Sequence, residues 1–183
     1  LNIVLAIVVV ICVALPIGVG GFGATMLLTA VGVLWLALSY QSMKGSRLAA
    51  ESPHLIASGK LEAAEHQIEA ALRSFSLFRT GKLLSLHHLA VLRHTQKRWE
   101  DSAQLSRELL SQRLGSLKHL ERQSRLILTE ALLELGDLKG AYQSLLQLYQ
   151  QRLSLKEAMN LLLVQLEYEA RVNAWEQIFS GVA

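Results

Sequence analysis

The sequence has little cysteine and little proline, and each scarcity excludes a class of structure. Cys12 is the only cysteine among 183 residues, so the chain forms no internal disulfide and has no cysteine–histidine cluster of zinc-binding spacing. Pro16 and Pro53 are the only prolines, and the chain after Pro53 is rich in Leu, Ala, Glu, Gln, Lys and Arg. Because these residues favour helices, we predict an all-α domain.

Charge is absent from residues 1–40, and all 18 Lys and Arg and 15 Asp and Glu follow that block. Residues 1–15 and 22–40 are uncharged apolar runs on either side of a Pro- and Gly-rich stretch. Nineteen helical residues rise about 28 Å, close to the roughly 30 Å hydrocarbon core of a bilayer. We therefore predict a transmembrane helical hairpin over 1–40 with its turn at about 16–23. A single span, a cleaved signal peptide at 1–21 and a buried soluble core are the alternatives.

A few cations follow the second apolar run and indicate its orientation. Lys44, Arg47 and Lys60 outnumber the single acid Glu51 in this stretch, and the positive-inside rule places such a flank in the cytoplasm. We expect an integral protein of the inner (cytoplasmic) membrane whose repeat domain is cytoplasmic. Residues 41–54 would form a juxtamembrane segment that begins the first repeat helix.

A pattern of apolar and small residues recurs in the charged part of the chain. Counted from its first residue, it has a large apolar residue at +2, a small residue at +5, an aliphatic residue at +9 and apolar residues at +12 and +13. The pattern is clearest from Gly59 and Gly136, with Ala64 and Ala141 as the small residues. It starts at positions 59, 97, 136 and 173, which are 38, 39 and 37 residues apart, and Trp99 and Trp175 are the +2 residues of the second and fourth copies.

This pattern resembles the second half of a tetratricopeptide repeat (TPR), G-x-Y-x-x-A-x-x-x-F-x-x-A-L. The resemblance implies a membrane-anchored TPR-like protein of bacterial type, with an α-solenoid of three helix pairs and a partial fourth over 55–183. The first helices lack the Trp…Leu-Gly…Tyr signature of the family, and no proline closes each repeat. The predicted helices cover 45–58, 61–75, 80–95, 98–112, 117–135, 138–152, 155–172 and 174–180.

Basic residues are concentrated in the half of the domain that follows the apolar block. Residues 70–99 contain no acid and six Lys and Arg, and residues 126–183 contain four cations and seven acids. The basic half could bind anionic lipid or an acidic protein segment, although a solvated face is the simpler interpretation. The resemblance implies a groove lined by the first helix of each pair. The candidate residues for the groove or basic patch are Arg79, Lys82, His87, Arg93, Lys97, Arg98, Arg122 and Arg125.

Motifs of catalysis and cofactor binding are missing from the sequence. There is no G-x-S-x-G, H-E-x-x-H or P-loop, and the adjacent His87 and His88 would point about 100° apart on a helix, which disfavours a shared metal. We expect no enzyme activity, cofactor, metal, small-molecule substrate or nucleic acid partner. The prediction is a scaffold that recruits an acidic or membrane-embedded protein partner. A structural or accessory subunit of a larger membrane complex, or the N-terminal part of a longer enzyme or regulator, is the alternative.

Overall fold

A computed structural model describes residues 21–74, 79–115 and 117–180, and every regular element within them is an α-helix. The prediction of an all-α chain is therefore confirmed for this part of the molecule. The seven helices are α1 (Gly21–Ala57), α2 (Leu61–Arg73), α3 (Arg79–Thr95), α4 (Trp99–Ser111), α5 (Lys118–Glu134), α6 (Leu138–Tyr149) and α7 (Leu155–Ser180).

The helices pack as successive pairs in two layers. Each helix packs on the next along the chain, and the odd-numbered helices also pack on one another in the order α1, α3, α5 and α7. Among the described helices no comparable packing joins α2 to α4 or α4 to α6. The arrangement is thus repeat-like, with a continuous layer of odd-numbered helices and a more open layer of even-numbered ones. We call the surface of the odd-numbered layer that faces away from α2, α4 and α6 the inner face.

Three turns of one kind join the helices within each pair. The reversing residue has a left-handed backbone at each turn, with φ of 76° at Gly59, 59° at Lys97 and 77° at Gly136. The next N–H bonds back to the carbonyl five residues earlier, as from Lys60 to Leu55 at 3.0 Å. This is the Schellman ending of a helix. The predicted repeat starts at 59, 97 and 136 are therefore the residues that reverse the chain.

The core follows the repeated pattern in the first three copies. The +5 positions are fully buried because their small side chains lie where the two helices of a pair approach. The +9 and +12 positions are buried as well, whereas the +2 residues are half-buried. The buried residues of the pattern are Ala64, Ile68, Ala71, Ser102, Ser106, Leu109, Ala141, Leu145 and Leu148.

The fourth copy of the pattern does not reverse the chain. The sequence predicts one helix over 155–172 and a second over 174–180, but α7 runs unbroken from Leu155 to Ser180 through Asn173. The structure describes the backbone at Trp175 and leaves its side chain outside the described atoms. Neither a left-handed residue nor a Schellman ending therefore marks the fourth start, and the predicted turn at that point is wrong.

The apolar N-terminal block differs from its prediction where it can be described. Residues 1–20 lie outside the described residues, and Gly21, Phe22 and Gly23 are helical rather than part of a turn. The helix that contains 22–40 continues through the polar residues 41–57, which carry charges and pack into the stack. Among the described residues no helix has the length and apolar character to cross a membrane. The prediction of an integral protein of the inner (cytoplasmic) membrane with cytoplasmic repeats is therefore wrong.

Lys97→Gly should raise the free energy of unfolding by about 1 kcal/mol, because glycine adopts a left-handed backbone without the steric cost of a side chain. The Lys97 side chain is exposed, so its removal disturbs no packing. Urea unfolding followed by circular dichroism measures the change.

Gly136→Ala is the matched control, because a Cβ there meets nothing within 4 Å while φ is +77°. It should lower the free energy of unfolding by about 1 kcal/mol. A lower stability for Lys97→Gly would show that the turn at position 97 is not limited by its backbone conformation.

Candidate functional site

The odd-numbered helices are joined by buried polar bridges that centre on α3. The Nδ1 atom of His88 lies 2.9 Å from the Ser52 hydroxyl of α1, and the Nδ1 atom of His87 lies 2.7 Å from the Ser124 hydroxyl of α5. Both serines are fully buried, and the two histidines are buried as well. Since consecutive helical residues point about 100° apart, two adjacent rings reach two different neighbours.

Pro53 accounts for the position of Ser52. A proline inside a helix has no N–H, so the Ala49 carbonyl lacks its usual intrahelical donor. The Ser52 hydroxyl donates to this carbonyl at 2.8 Å. A hydroxyl has one proton, so Ser52 accepts its other bond from an N–H at Nδ1 of His88. The local repair of α1 at Pro53 therefore also sets the tautomer of the ring that joins α1 to α3.

Burial lowers the pKa of both histidines. Desolvation is the main cause at His87, and the neighbouring His88 and His119 add to it, so that its pKa falls from 6.5 to about 4. Desolvation also lowers the pKa of His88, against a hydrogen bond to the Ala49 carbonyl that raises it. Both rings are thus neutral at pH 7, because burial disfavours the charged form.

The contacts of α3 identify the side chains that it presents at the inner face. His88 points toward α1 and His87 toward α5, while the backbone beside Ala90 faces α4 through a bond from Ser102. With about 100° between successive residues, Leu84 and Val91 point between the directions of His87 and His88. Both are half-buried. Leu84 also packs against a core cluster that includes Leu120 of α5, and the exposed parts of the two side chains form the apolar part of the inner face on α3.

On α5 the inner face is polar. His119 and Gln123 are exposed, and both lie close enough to influence the titration of His87, Gln123 through a hydrogen bond. About two turns farther along, Glu130 lies 3.1 Å from Nε2 of His94. The inner face therefore combines two aliphatic side chains of α3 with a histidine, an amide and a carboxylate that lies beside His94.

An ion pair extends the odd-numbered layer from α5 to α7. The Nε atom of Arg122 lies 2.7 Å from Glu157, and the Ser154 backbone N–H and hydroxyl each donate to the same carboxylate at 2.8 Å. Desolvation raises the pKa of Glu157, but the hydrogen bonds from Arg122 and Ser154 outweigh it and bring the pKa to about 2. Glu157 is therefore ionised across the physiological range.

Half of the predicted basic patch is engaged with acids in the structure. Four of its eight residues form ion pairs, which reduces the net positive field that the patch can present to a partner. Their acids come from other helices or from the same helix one turn away. The pairs are Arg93–Glu65 at 2.6 Å, Arg98–Asp101 at 2.5 Å, Arg122–Glu157 at 2.7 Å and Arg125–Glu121 at 3.2 Å.

The other predicted residues do not form one cluster. Arg79 bonds the Gln112 side chain, His87 is buried between helices, and Lys82 and Lys97 are exposed without an ion pair among the described residues. Arg93 was expected in the groove through the TPR resemblance, but its bond to α2 turns it toward the even-numbered helices. The eight residues are thus distributed over several surfaces of the stack.

Sequence reasoning missed the serines that hold the histidines, although the repeat period contains a signal for them. Ser52 and His88 are 36 residues apart, and His87 and Ser124 are 37 apart. Both separations approach the repeat period of 37–39 residues. Polar residues one period apart occupy neighbouring odd-numbered helices at similar heights, so a search for such pairs would have found these bridges.

The serine–histidine contacts are not arranged for catalysis. The Ser52 and Ser124 side chains are fully buried, so a substrate cannot reach either hydroxyl, and the part of the chain that the structure describes bonds no carboxylate to either ring. A nucleophile–base pair needs access and an orienting group. Nor do the described residues bring three or more His, Cys, Asp or Glu side chains into an arrangement for a metal ion.

Comparison of the chain with family models, with curated proteins and with solved structures finds no match.

The free energy of unfolding should fall by about 3 kcal/mol as the pH decreases from 6.5 to 4 through His87 alone, because its pKa is about 4 in the folded chain and 6.5 as a free group. The unfolded chain binds this proton first, so the stabilisation is complete above pH 6.5 and is lost progressively toward pH 4. Urea unfolding at a series of pH values measures the profile.

His87→Gln should flatten this part of the profile, because an amide can still bond Ser124 but does not titrate. His66→Gln, on an exposed position of α2, is the matched control and should keep the parent profile. Equal slopes for the parent and His87→Gln between pH 6.5 and 4 would contradict the assignment.

Proposed function

We propose that the chain is a TPR-like protein-binding module that holds a segment of a protein partner against its inner face. The continuous packing of α1, α3, α5 and α7 supports this proposal. In a stack of helix pairs, the layer whose helices touch is the shorter one and lies on the concave side. Concave surfaces of helical repeats are suited to extended binding of partner chains.

The chemistry of the inner face favours a helical segment over a strongly acidic one. Leu84 and Val91 offer apolar contact, while His119 and Gln123 offer hydrogen bonds beside them. An amphipathic helix recognises such a surface by its apolar side chains. Acidic recognition would need unpaired cations, and Arg93 and the other paired arginines of the basic patch already bind acids.

A second candidate is an accessory subunit of a larger assembly. Its basis is the first half of α1, where large apolar side chains are exposed among the described residues and Tyr40 reaches 72% exposure. Contiguous apolar surface of this kind marks interaction sites more often than free surface. In this case another subunit of the assembly would permanently cover the apolar half of α1, and the inner face would not be the main binding surface. The exposed residues are Met26, Leu27, Val33, Leu34, Trp35, Leu36 and Tyr40.

A photo-crosslinking amino acid at Gln123 should capture one discrete protein in the native cell, because Gln123 is exposed at the inner face. Gln104, exposed on α4, is the matched control and should give no such adduct. Val91→Glu should lower the yield at Gln123 about tenfold, since a charge in an apolar contact costs at least 1.4 kcal/mol. The adducts are identified by mass spectrometry.

The same experiment separates the two candidates. Adducts at Gln104 and not at Gln123 would contradict binding at the inner face. A third variant carries the photo-crosslinking amino acid at Trp35 of α1. Adducts from this variant alone, in fixed ratio to the chain, would favour the accessory subunit.

A further inference from the structure

Helix α7 carries two apolar faces, and only one of them is covered. Leu161 and Val164 are 3% and 4% exposed and pack into the core with α5 and α6. On the other side large apolar side chains are 56–80% exposed. We call this set the apolar stripe; it consists of Leu155, Met159, Leu162, Leu163 and Leu166.

The apolar stripe lies directly opposite the packed side of α7. Its members follow one another at spacings of four and three residues, with Leu163 beside Leu162, which places them on one face of a helix. Two contacts with α6, Tyr142 stacked on Tyr168 and Tyr149 bonded to Gln165, lie to one side of it. The stripe is therefore a continuous apolar surface along three turns.

No other described helix covers the apolar stripe. In each of the first three pairs a turn returns the chain so that the even-numbered helix packs on the odd-numbered one. At the corresponding point of α7 the helix continues through Asn173 to Ser180. Among the described residues nothing else packs there, and exposed apolar surface with a polar rim is typical of a protein interface.

The stripe is symmetric about its own centre. Reversal about the midpoint between Leu162 and Leu163 places Met159 at the height of Leu166 and Leu155 at that of Ala170. Two antiparallel copies of α7 therefore pair apolar side chains along the whole stripe. Such a surface is self-complementary, as a two-fold interface between identical chains requires.

The charges at the edge of the stripe are also complementary in this arrangement. Lys156 is exposed and has no ion pair among the described residues. In the antiparallel pair it lies on the same side of the interface as Glu167 of the second copy, about 3 Å apart along the axis, and the arrangement occurs twice. Glu167 also pairs with Arg171 of its own helix at 2.6 Å, so Lys156 would be its second cation. In a parallel pair Lys156 of one copy and Glu167 of the other would lie about 16 Å apart along the axis, so this contact would be lost.

We propose that two copies of the chain form a dimer through the apolar stripe, with α7 antiparallel to α7 about a two-fold axis between Leu162 and Leu163. The apolar stripe of α7 shares no residue with the inner face of α3 and α5. The dimer therefore adds to the proposed function, because two partner segments could bind one dimer and gain by avidity.

Sedimentation equilibrium of the full chain should give the mass of a dimer, and Leu162→Glu should raise the dissociation constant about 100-fold or more. Leu162 is 56% exposed in one chain, so the substitution spares the core, and an unchanged thermal unfolding curve confirms this. Leu34→Glu, at a position of α1 that is 60% exposed, is the matched control and should remain dimeric. A monomeric parent, or loss of the dimer only in Leu34→Glu, would overturn the proposal.

Cysteine crosslinking tests the direction of the helices, in a Cys12→Ser background that removes the native thiol. Leu162→Cys should form an intermolecular disulfide, because the two copies of this position meet at the axis. Leu155→Cys should not, because its two copies lie about 22 Å apart along an antiparallel pair. Crosslinking of both variants would indicate a parallel pair, and crosslinking of neither would exclude the stripe as the interface. These results do not depend on whether a partner binds the inner face.

Discussion

His87 and His88 are adjacent in α3, and the geometry of a helix forces their rings apart. One ring therefore bonds Ser124 of α5 while the other bonds Ser52 of α1, so that one dipeptide joins three helix pairs. The rings can do this only in the neutral state, because an ionised imidazole in this buried position would lose its hydration. The inner face depends on the arrangement, since Leu84 and Val91 point between the two ring directions. The directions of the two rings therefore determine both how α1, α3 and α5 pack and which side chains of α3 face the inner surface.

Contacts within a helix pair differ in kind from contacts between pairs. This difference explains why the odd-numbered layer is continuous while the even-numbered layer is more open. Within a pair, the turn and small residues such as Ala64 and Ala141 bring the helices close, and the contact is mainly apolar, with hydroxyl bonds such as that from Ser102 to the Ala90 carbonyl at 3.1 Å. Between pairs, the odd-numbered helices are linked by polar contacts one period apart, as in Arg122–Glu157, which are 35 residues apart. The even-numbered helices show few such contacts among the described residues. A directional bond fixes the height of one helix against the next, whereas apolar contact alone permits sliding.

The sequence predicted those features of the fold that depend on residues close together along the chain. Gly59 and Gly136 mark left-handed turns by residue type, and Lys97 was placed by the pattern of apolar and small residues that follows it, with a φ of 59° in the structure. The same pattern failed at Asn173, because it describes how a helix packs and does not terminate the helix before it. Ion pairs such as Arg93–Glu65, 28 residues apart, depend on the packing of separate helices, so a count of cations overstated the basic patch. The apolar composition of 22–40 likewise did not reveal that its helix continues into the stack.

The chemistry of the bridges orders their response to acid. The contact between α3 and α5 depends on the neutral ring of His87, whose pKa is about 4 in the folded chain. Its contribution to the free energy of unfolding decreases as the pH falls from 6.5. The contact between α5 and α7 rests on Glu157, whose pKa is about 2, so its stabilisation is complete above 4.5 and is lost only as the pH falls toward 2. Acid therefore weakens the layer at α3 before it weakens the attachment of α7. Mild acid therefore affects the inner face, which the neutral ring of His87 supports. The apolar stripe on α7 keeps its support, because Glu157 is still ionised at that pH.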